Sequence, residues 1–316
     1  MRHTLTTGVC GTLAAGALLA TSVVLAAPAD AAGSGVVYVS PTGKSSNSGT
    51  QSKPVTTLAD VRKVLAARQN PPTVTVLFKG GTYKLPEFRW KNLSARSVTF
   101  KPQPGTGTPV FDGAKKQEYW IVVDPTKTKL TFTGLRLSRY TKGGIMLRGT
   151  GTADSRRVIG ATVKGMKFTD IGGARTGYAA VHLNYARNTT IKDNTFSNLV
   201  NKECPGCMHA VYFAYQSHDN TVSGGTYSKI SGDPIRAADR SNNNTVRGGS
   251  YNRTGVKGIF TAWRLKRDPK CSHGNVFYTK LKSSKGYSGA SVPAVRDRGD
   301  GKKKPCSPPA VVRKNP

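Results

Sequence analysis

A short pattern of apolar and polar residues recurs five times in the second half of the chain. Each copy carries a Val or Ile and then an aromatic residue or Leu five positions later. The Val or Ile positions (163, 191, 222, 246 and 276) lie 28, 31, 24 and 30 residues apart. One unit cannot bury its apolar face alone, so the repeat predicts a solenoid in which equivalent side chains stack as internal ladders. The five copies span residues 162–168, 190–196, 221–227, 245–251 and 275–281.

A second series of short β-like segments alternates with the first. It comprises residues 144–147, 180–183, 210–213, 234–237, 258–261 and 294–297. Alternation along a strand predicts that the Ile or Val of each segment points inward and the next residue outward. Neighbouring strands lie about 4.8 Å apart. To within one residue of register, the outward residues should therefore form a column of Met146, His182, Tyr212, Arg236, Phe260 and Arg296.

The segments before the repeats predict a strand, one helix and a second strand. Residues 36–41 and 74–78 are strand-like, and residues 58–69 carry apolar side chains at helical spacing. Thr57 and Asp60 form a potential capping box, and Pro71 and Pro72 end the helix. The prediction is an all-β fold, a right-handed parallel β-helix (solenoid) with an N-terminal capping helix.

The N-terminus has the pattern of a secretory signal peptide. A basic start at Arg2 precedes an apolar stretch over residues 13–27 and an Ala29-Asp30-Ala31 cleavage signal. We therefore expect a signal peptide at 1–31, a β-helix domain at 32–300 and a basic, Pro-rich C-terminal tail at 301–316. The expected protein is secreted and extracellular, without a membrane segment, and monomeric.

Charge suggests the partner. The 316 residues include 48 Lys and Arg against 16 Asp and Glu, a formal net charge of +32. Lys164, Lys192 and Arg247 recur at the same outward position of the first strand series. Such a surface concentrates a polyanion through a salt-sensitive attraction. An anionic polysaccharide is the expected partner, and nucleic acid is disfavoured because the sequence contains no recognised nucleic-acid-binding module.

Cysteine usage agrees with an oxidising environment. Cys10 lies in the signal segment, which leaves an even number of cysteines for two disulfides with three possible pairings. A zinc site built from the C-P-G-C turn and His209 would need a fourth ligand. We expect no metal or cofactor, although Ca²⁺ remains open. The disulfide candidates are Cys204, Cys207, Cys271 and Cys306, with Cys204–Cys207 as a local bridge.

Several of these features together resemble a known superfamily. The opening VYVSPTG…NSGT, the capping helix and the repeats NTVSGGTY and NTVRGGSY are similar to the pectate-lyase-like right-handed parallel β-helix superfamily, of the secreted polysaccharide lyase type. The resemblance covers about residues 35–300. It implies the fold and a polysaccharide substrate. The sequence lacks the acidic Ca²⁺-binding cluster of pectate lyases and the paired aspartates of polygalacturonases.

The predicted column carries the groups needed for β-elimination of a uronate-containing polysaccharide. That reaction requires a base for the C5 proton, an acid for the leaving O4 and a group that neutralises the C6 carboxylate. We assign these roles to His182, Tyr212 and Arg236, and the base and the acid could exchange places. The residues expected to bind substrate are Asn184, His209 (also a second base candidate), Arg240, Lys257, Trp263 and Arg264.

Two alternatives remain open. A glycoside hydrolase acting on an acidic polysaccharide would need two carboxylates across the scissile bond, and Asp233 and Asp239 flank Arg236. A non-catalytic β-helix protein that binds polyanions would need neither arrangement.

Overall fold

The computed structural model describes residues 35–173, 178–263, 271–298 and 311–313. These residues form mainly short parallel strands in three long sheets. Each full turn of the chain passes from the ten-stranded sheet to the seven-stranded sheet and then to the eight-stranded sheet. The result is a right-handed parallel β-helix, which confirms the predicted fold class.

The ten-stranded sheet contains the first strand of each repeat. Its strands, in spatial order, are β1 (Val36–Val39), β2 (Thr73–Phe78), β5 (Ser97–Pro102), β8 (Lys129–Thr133), β12 (Thr162–Lys164), β16 (Thr190–Lys192), β19 (Thr221–Ser223), β22 (Thr245–Arg247), β25 (Val276–Tyr278) and β29 (Val311–Arg313).

The seven-stranded sheet holds the second part of each repeat. A residue with positive φ, such as Gly165 (φ 58°) or Asp193 (φ 52°), bends the chain between the two sheets. The bend divides each repeat segment into two strands, one in each sheet. The strands are β3 (Gly81–Tyr83), β6 (Pro109–Asp112), β9 (Arg136–Ser138), β13 (Lys167–Thr169), β17 (Thr195–Leu199), β20 (Thr226–Ile230) and β23 (Ser250–Thr254).

The eight-stranded sheet holds the second predicted series and the candidate site. Its strands are β4 (Phe88–Trp90), β7 (Ile121–Val123), β10 (Ile145–Arg148), β14 (Ala179–Asn184), β18 (His209–Ala214), β21 (Ile235–Ala237), β24 (Phe260–Trp263) and β28 (Val295–Arg298). Two small sheets pair β11 (Val158–Ile159) with β15 (Ala186–Arg187), and β26 (Ser283–Lys285) with β27 (Ser291–Pro293). Two 3-10 turns span Asp154–Arg156 and Pro205–Cys207.

A single α-helix, α1 (Leu58–Ala67), is present among the described residues. Asp60 N–H donates to Thr57 Oγ1 at 3.1 Å, and Thr57 N–H donates to Asp60 Oδ2 at 3.1 Å. This reciprocal pair is the predicted capping box. The helix ends two residues earlier than predicted because Gln69 and Asn70 adopt positive φ, which is incompatible with a right-handed helix.

Aromatic ladders fill the core as the repeat predicts. Phe168, Phe196, Tyr227 and Tyr251 are paired in register on successive coils, with ring centroids 4.7–5.1 Å apart. Burying each ring removes a large apolar area from water and adds favourable ring stacking. The stacked rings therefore hold the coils in register.

The fifth repeat is shifted by one residue from the prediction. Phe277, not Val276, pairs with Val246, and Leu281 is exposed. The reason is an asparagine ladder. Asn244 Nδ2 donates to Asn275 Oδ1 at 3.0 Å, which aligns Asn275 with Asn244 and moves the following strand by one position.

The outward column is also corrected at one position. Phe260 is fully buried and pairs with Ile235, so Thr261 takes the outward position beside Arg236. The turn before β24 explains the shift. Its three backbone N–H groups, from residues 256–258, donate to Asp233 Oδ1, and the strand that follows this turn is shifted by one residue from the predicted register.

The basic series lies on the ten-stranded sheet. Lys164, Lys192 and Arg247 occupy one outward column there and are exposed. The candidate site is on the eight-stranded sheet, so these three cations do not line it.

The Cys204–Cys207 disulfide is present, and Cys271 is also disulfide-bonded. Cys306, Arg264, the predicted signal peptide and nearly all of the C-terminal tail lie outside the described residues. Within the described ranges, no helix combines the length and apolar character needed to cross a membrane.

Candidate functional site

Three adjacent strands bring His182, Tyr212 and Arg236 together. His182 of β14 pairs with Tyr212 of β18, which pairs with Arg236 of β21. Residues 24 to 54 positions apart in sequence thus become neighbours on one outward face. The parallel register is sufficient to create this juxtaposition.

The three side chains form a continuous stack. The His182 and Tyr212 rings are nearly parallel, with an interplanar angle of 8° and centroids 5.3 Å apart. Arg236 Cζ lies 5.4 Å from the Tyr212 ring and 4.2 Å from the Trp263 ring. The guanidinium therefore makes cation–π contacts with both rings, which fixes its position.

His182 is a buried, neutral imidazole. Its Nδ1 lies 3.3 Å from Tyr119 Oη, and its Nε2 is a buried atom with no hydrogen bond of normal geometry to the described residues. A side-chain interaction with Asn184 partly offsets the effect of burial on the pKa of the ring. Burial lowers the pKa of His182 from 6.5 to about 4. At neutral pH one ring nitrogen therefore carries a lone pair.

His209 positions Arg236. Its Nδ1–H donates to the Asp233 carbonyl oxygen (2.6 Å), so Nε2 is an acceptor and receives a hydrogen bond from Arg236 Nη1 at 3.3 Å. Burial and the Arg236 charge lower the pKa of His209 to about 3. Only 1% of His209 is exposed, and its Nε2 lone pair is occupied by Arg236, so the ring that the sequence predicts as a second base or substrate contact lies against Arg236.

Of the two carboxylates that flank Arg236 in sequence, Asp233 is fully engaged in hydrogen bonds. Asp233 Oδ1 accepts three backbone N–H groups, and Oδ2 accepts the Thr261 hydroxyl at 3.1 Å. Both oxygens are thus used to organise the next turn. Asp239 is also buried.

A cavity of about 240 Å³ opens beside the stack. His182 and Tyr212 line it, and Tyr178 and Tyr215, 40% and 38% exposed, give it an aromatic rim. Such rings suit stacking against a sugar face. The full lining is Glu118, Tyr119, Lys142, Met146, Tyr178, His182, Asn184, Tyr212 and Tyr215.

The remaining predicted binding residues are dispersed. Asn184 lines the cavity, and Trp263 packs on Arg236. Arg240 is half-buried in the turn after β21, and Lys257 is exposed in the turn before β24. Neither of these two residues lines the cavity.

Sequence reasoning missed much of the cavity wall. Tyr119 and Tyr178 precede strands β7 and β14, and Tyr215 follows β18 with φ 47°. The missed ion pair Lys142–Glu118 has its charged atoms 2.6 Å apart. The sequence does show an aromatic residue next to each of these strand ends, which could have indicated a cavity wall. The direction in which each side chain points, however, depends on the geometry of the corner between sheets.

Metal ligands are not clustered in the part of the chain described. No group of three or more His, Cys, Asp or Glu side chains in these residues is arranged to hold a metal ion.

Comparisons with known proteins define the fold. The family described as right handed beta helix region matches residues 119–262. Pectate lyase Pel9A is 14% identical, with a TM-score of 0.57, over 88% of this chain and 74% of that chain. The chain therefore has the pectate-lyase-like right-handed β-helix fold.

Two further solved structures are similar at lower scores. A GH136 lacto-N-biosidase from Eubacterium ramulus is 12% identical over 89% of this chain and 68% of that chain (TM-score 0.42). A rhamnogalacturonan lyase is 16% identical over 86% and 65%, respectively (TM-score 0.31). No curated protein sequence matches the chain.

Proposed function

We propose that the protein is a polysaccharide lyase that cleaves a uronate-containing chain by β-elimination in the His182 cavity. One observation carries the proposal: the neutral imidazole of His182 lines a tyrosine-rimmed cavity. A general base must be deprotonated at working pH and within reach of the substrate proton.

The proposed reaction assigns one atom to each proton transfer. In the proposed tautomer His182 Nδ1–H donates to Tyr119 Oη, 3.3 Å away, and the lone pair on Nε2 accepts the C5 proton. The C4–O4 bond breaks as the C4–C5 double bond forms. The Tyr212 hydroxyl protonates the departing O4, and no water is consumed.

Cationic and hydrogen-bonding groups support the intermediate in two ways. Lys142 and Asn184 line the cavity and are the proposed contacts of the C6 carboxylate. Arg236, held against the Tyr212 ring by His209 and Trp263, adds a fixed cation next to this cavity-lining residue. Stabilising the developing negative charge at C5 and C6 lowers the barrier to proton removal. This changes the predicted role of Arg236 from direct contact to electrostatic support.

A specific observation favours hydrolysis as a second candidate. Glu118 lines the cavity, and burial together with the Glu118 charge raises the pKa of Glu87. Glu87 Oε2 accepts the Tyr119 backbone N–H at 3.1 Å, which fixes this carboxyl close to the cavity wall. Glycoside hydrolases use two carboxyl groups held in different environments, and Glu87 and Glu118 are the two carboxyl groups that this part of the structure brings near the cavity.

The products distinguish the candidates. Glucuronan, alginate, pectate and glycosaminoglycans would be incubated with the protein, and unsaturated uronate ends and reducing ends would be measured in parallel. A lyase produces both kinds of end, whereas a hydrolase produces reducing ends alone. We expect His182→Ala to reduce elimination about 10²–10⁴-fold and Glu118→Gln to have a much smaller effect. The reverse order of effects would favour hydrolysis.

The proposal places the enzyme outside the cell. The Cys204–Cys207 disulfide fits an oxidising compartment, and polymeric polysaccharide is an extracellular substrate.

A further inference from the structure

The outward face of the ten-stranded sheet carries a column of threonines. Strand pairing places them directly above one another on seven successive coils, and each is half-buried. The column is Thr75, Thr99, Thr131, Thr162, Thr190, Thr221 and Thr245. Hydroxyl groups therefore repeat along the axis at the strand spacing of about 4.8 Å.

A second column, two residues further along each strand, is basic. Its members are Thr133, Lys164, Lys192, Ser223, Arg247, Tyr278 and Arg313. Lys164, Lys192, Arg247 and Arg313 are exposed. We call these two columns the Thr–Lys face.

Neighbouring acids do not balance these charges. None of the ten strands contains Asp or Glu. Lys192 Nζ lies 4.0 Å from Asp193 Oδ2, a pair in which both side chains are mostly exposed. Lys164 has no ion-pair partner among the described residues, and Arg247 packs over the Tyr278 ring at 4.3 Å.

Folding stability accounts for the threonines but not for the cations. Thr has a high strand propensity, and stacked Thr side chains support neighbouring strands. Lys164 and Lys192, in contrast, are directly opposite each other, and like charges at this separation repel. A ligand that neutralises them would relieve this repulsion.

We propose that the Thr–Lys face binds an extended anionic polysaccharide along the helix axis, separately from the His182 cavity. Carboxylates would pair with the Lys and Arg side chains, and sugar hydroxyls would bond to the threonines. The strand spacing is comparable to one sugar residue of an extended chain, so successive units would meet equivalent groups. The choice of a polysaccharide rests on the proposed function, whereas binding can be tested without turnover.

The test uses polygalacturonate and a binding-only background. All variants are made in the His182→Ala background. The face variant replaces three cations of the basic column by serine: Lys164→Ser, Lys192→Ser and Arg247→Ser. Serine is chosen because Ser223 already occupies one position of the same column. The control, Lys63→Ser, Lys84→Ser and Lys91→Ser, removes the same charge from exposed positions outside the face. Circular dichroism checks that each variant is folded.

We expect the face variant to bind polygalacturonate about tenfold more weakly than the control. This factor corresponds to the loss of three exposed ion pairs at roughly half a kcal/mol each. The slope of log Kd plotted against log salt concentration should also be smaller by roughly three in the face variant, because three charge contacts are lost. A neutral glucan of the same length should bind neither protein. Equal affinities of the two triple variants would overturn the proposal.

Two further outcomes have distinct meanings. If double-stranded DNA binds as tightly as polygalacturonate at matched salt, and loses affinity equally in the face variant, the assignment to carboxylated polysaccharide is overturned. If the face variant loses polymer binding while wild-type protein releases no unsaturated ends from any uronate polymer, the docking face stands and the proposed lyase function fails.

Discussion

Acid should destabilise the protein through His182. Burial lowers the pKa of this ring from 6.5 to about 4. Above pH 6.5 the ring is neutral in both the folded and the unfolded chain. Between pH 6.5 and pH 4 only the unfolded chain binds the proton, so folding stability falls as the pH falls. Below pH 4 the folded chain is protonated as well, and this contribution levels off.

The structure sets the size of the effect. The pKa of His182 is about 4 in the folded chain and 6.5 in the unfolded chain, and each pKa unit is worth about 1.4 kcal/mol. The free energy of unfolding should therefore fall by roughly 3 kcal/mol between pH 7 and pH 4. The ring is only 4% exposed, so solvent screening reduces this value little. His182→Gln removes the titrating group, and the variant should lose roughly 3 kcal/mol less than wild type over the same range.

Urea unfolding at pH 7, 6, 5 and 4 measures this difference. His273→Gln, which removes an exposed ring, is the matched control for the substitution itself. Proton NMR of the ring, assigned by its loss in His182→Gln, gives the midpoint directly. Parallel loss of stability in wild type and His182→Gln, together with an NMR midpoint near 6.5, would refute the conclusion that His182 is buried and neutral.

Three further predictions test the packing and the site. Tyr119→Phe removes the acceptor of His182 Nδ1–H and should reduce kcat roughly tenfold with little change in KM; unchanged steady-state kinetics on the cleaved polymer would contradict the assigned tautomer. Phe196→Ala breaks the aromatic ladder and should lower the free energy of unfolding by about 3–5 kcal/mol in a denaturant titration, whereas a loss below about 1 kcal/mol would contradict the packing role. Asp233→Asn weakens the acceptor of three backbone N–H groups and should cost about 1–3 kcal/mol in the same titration, with a neutral effect as the contrary result.

The fold could be predicted from sequence because burial repeats at regular intervals. Phe168 and Phe196 must each be covered by a neighbouring coil, and their matching positions fix the stacking order. The errors occurred where another interaction set the register. The Asn244–Asn275 hydrogen bond shifted the fifth repeat, and the turn bound by Asp233 exchanged Phe260 for Thr261.

The candidate site was only partly predictable. Strand pairing brings His182 beside Tyr212, and that consequence can be read from the repeat. The Tyr119 contact and the orientation of Tyr178 and Tyr215 depend on the corners between sheets, where local dihedral angles decide the direction of the side chain.

Cleavage of uronate polymers by wild-type protein and His182→Ala tests the central claim most directly. Ultraviolet absorbance detects the unsaturated uronate end that β-elimination leaves on the product. We predict absorbance that grows with time for wild type on at least one carboxylated polysaccharide and is nearly abolished in His182→Ala, with Lys63→Ser unchanged. Equal absorbance from wild type and His182→Ala, or new reducing ends without any absorbance, would contradict elimination in the His182 cavity.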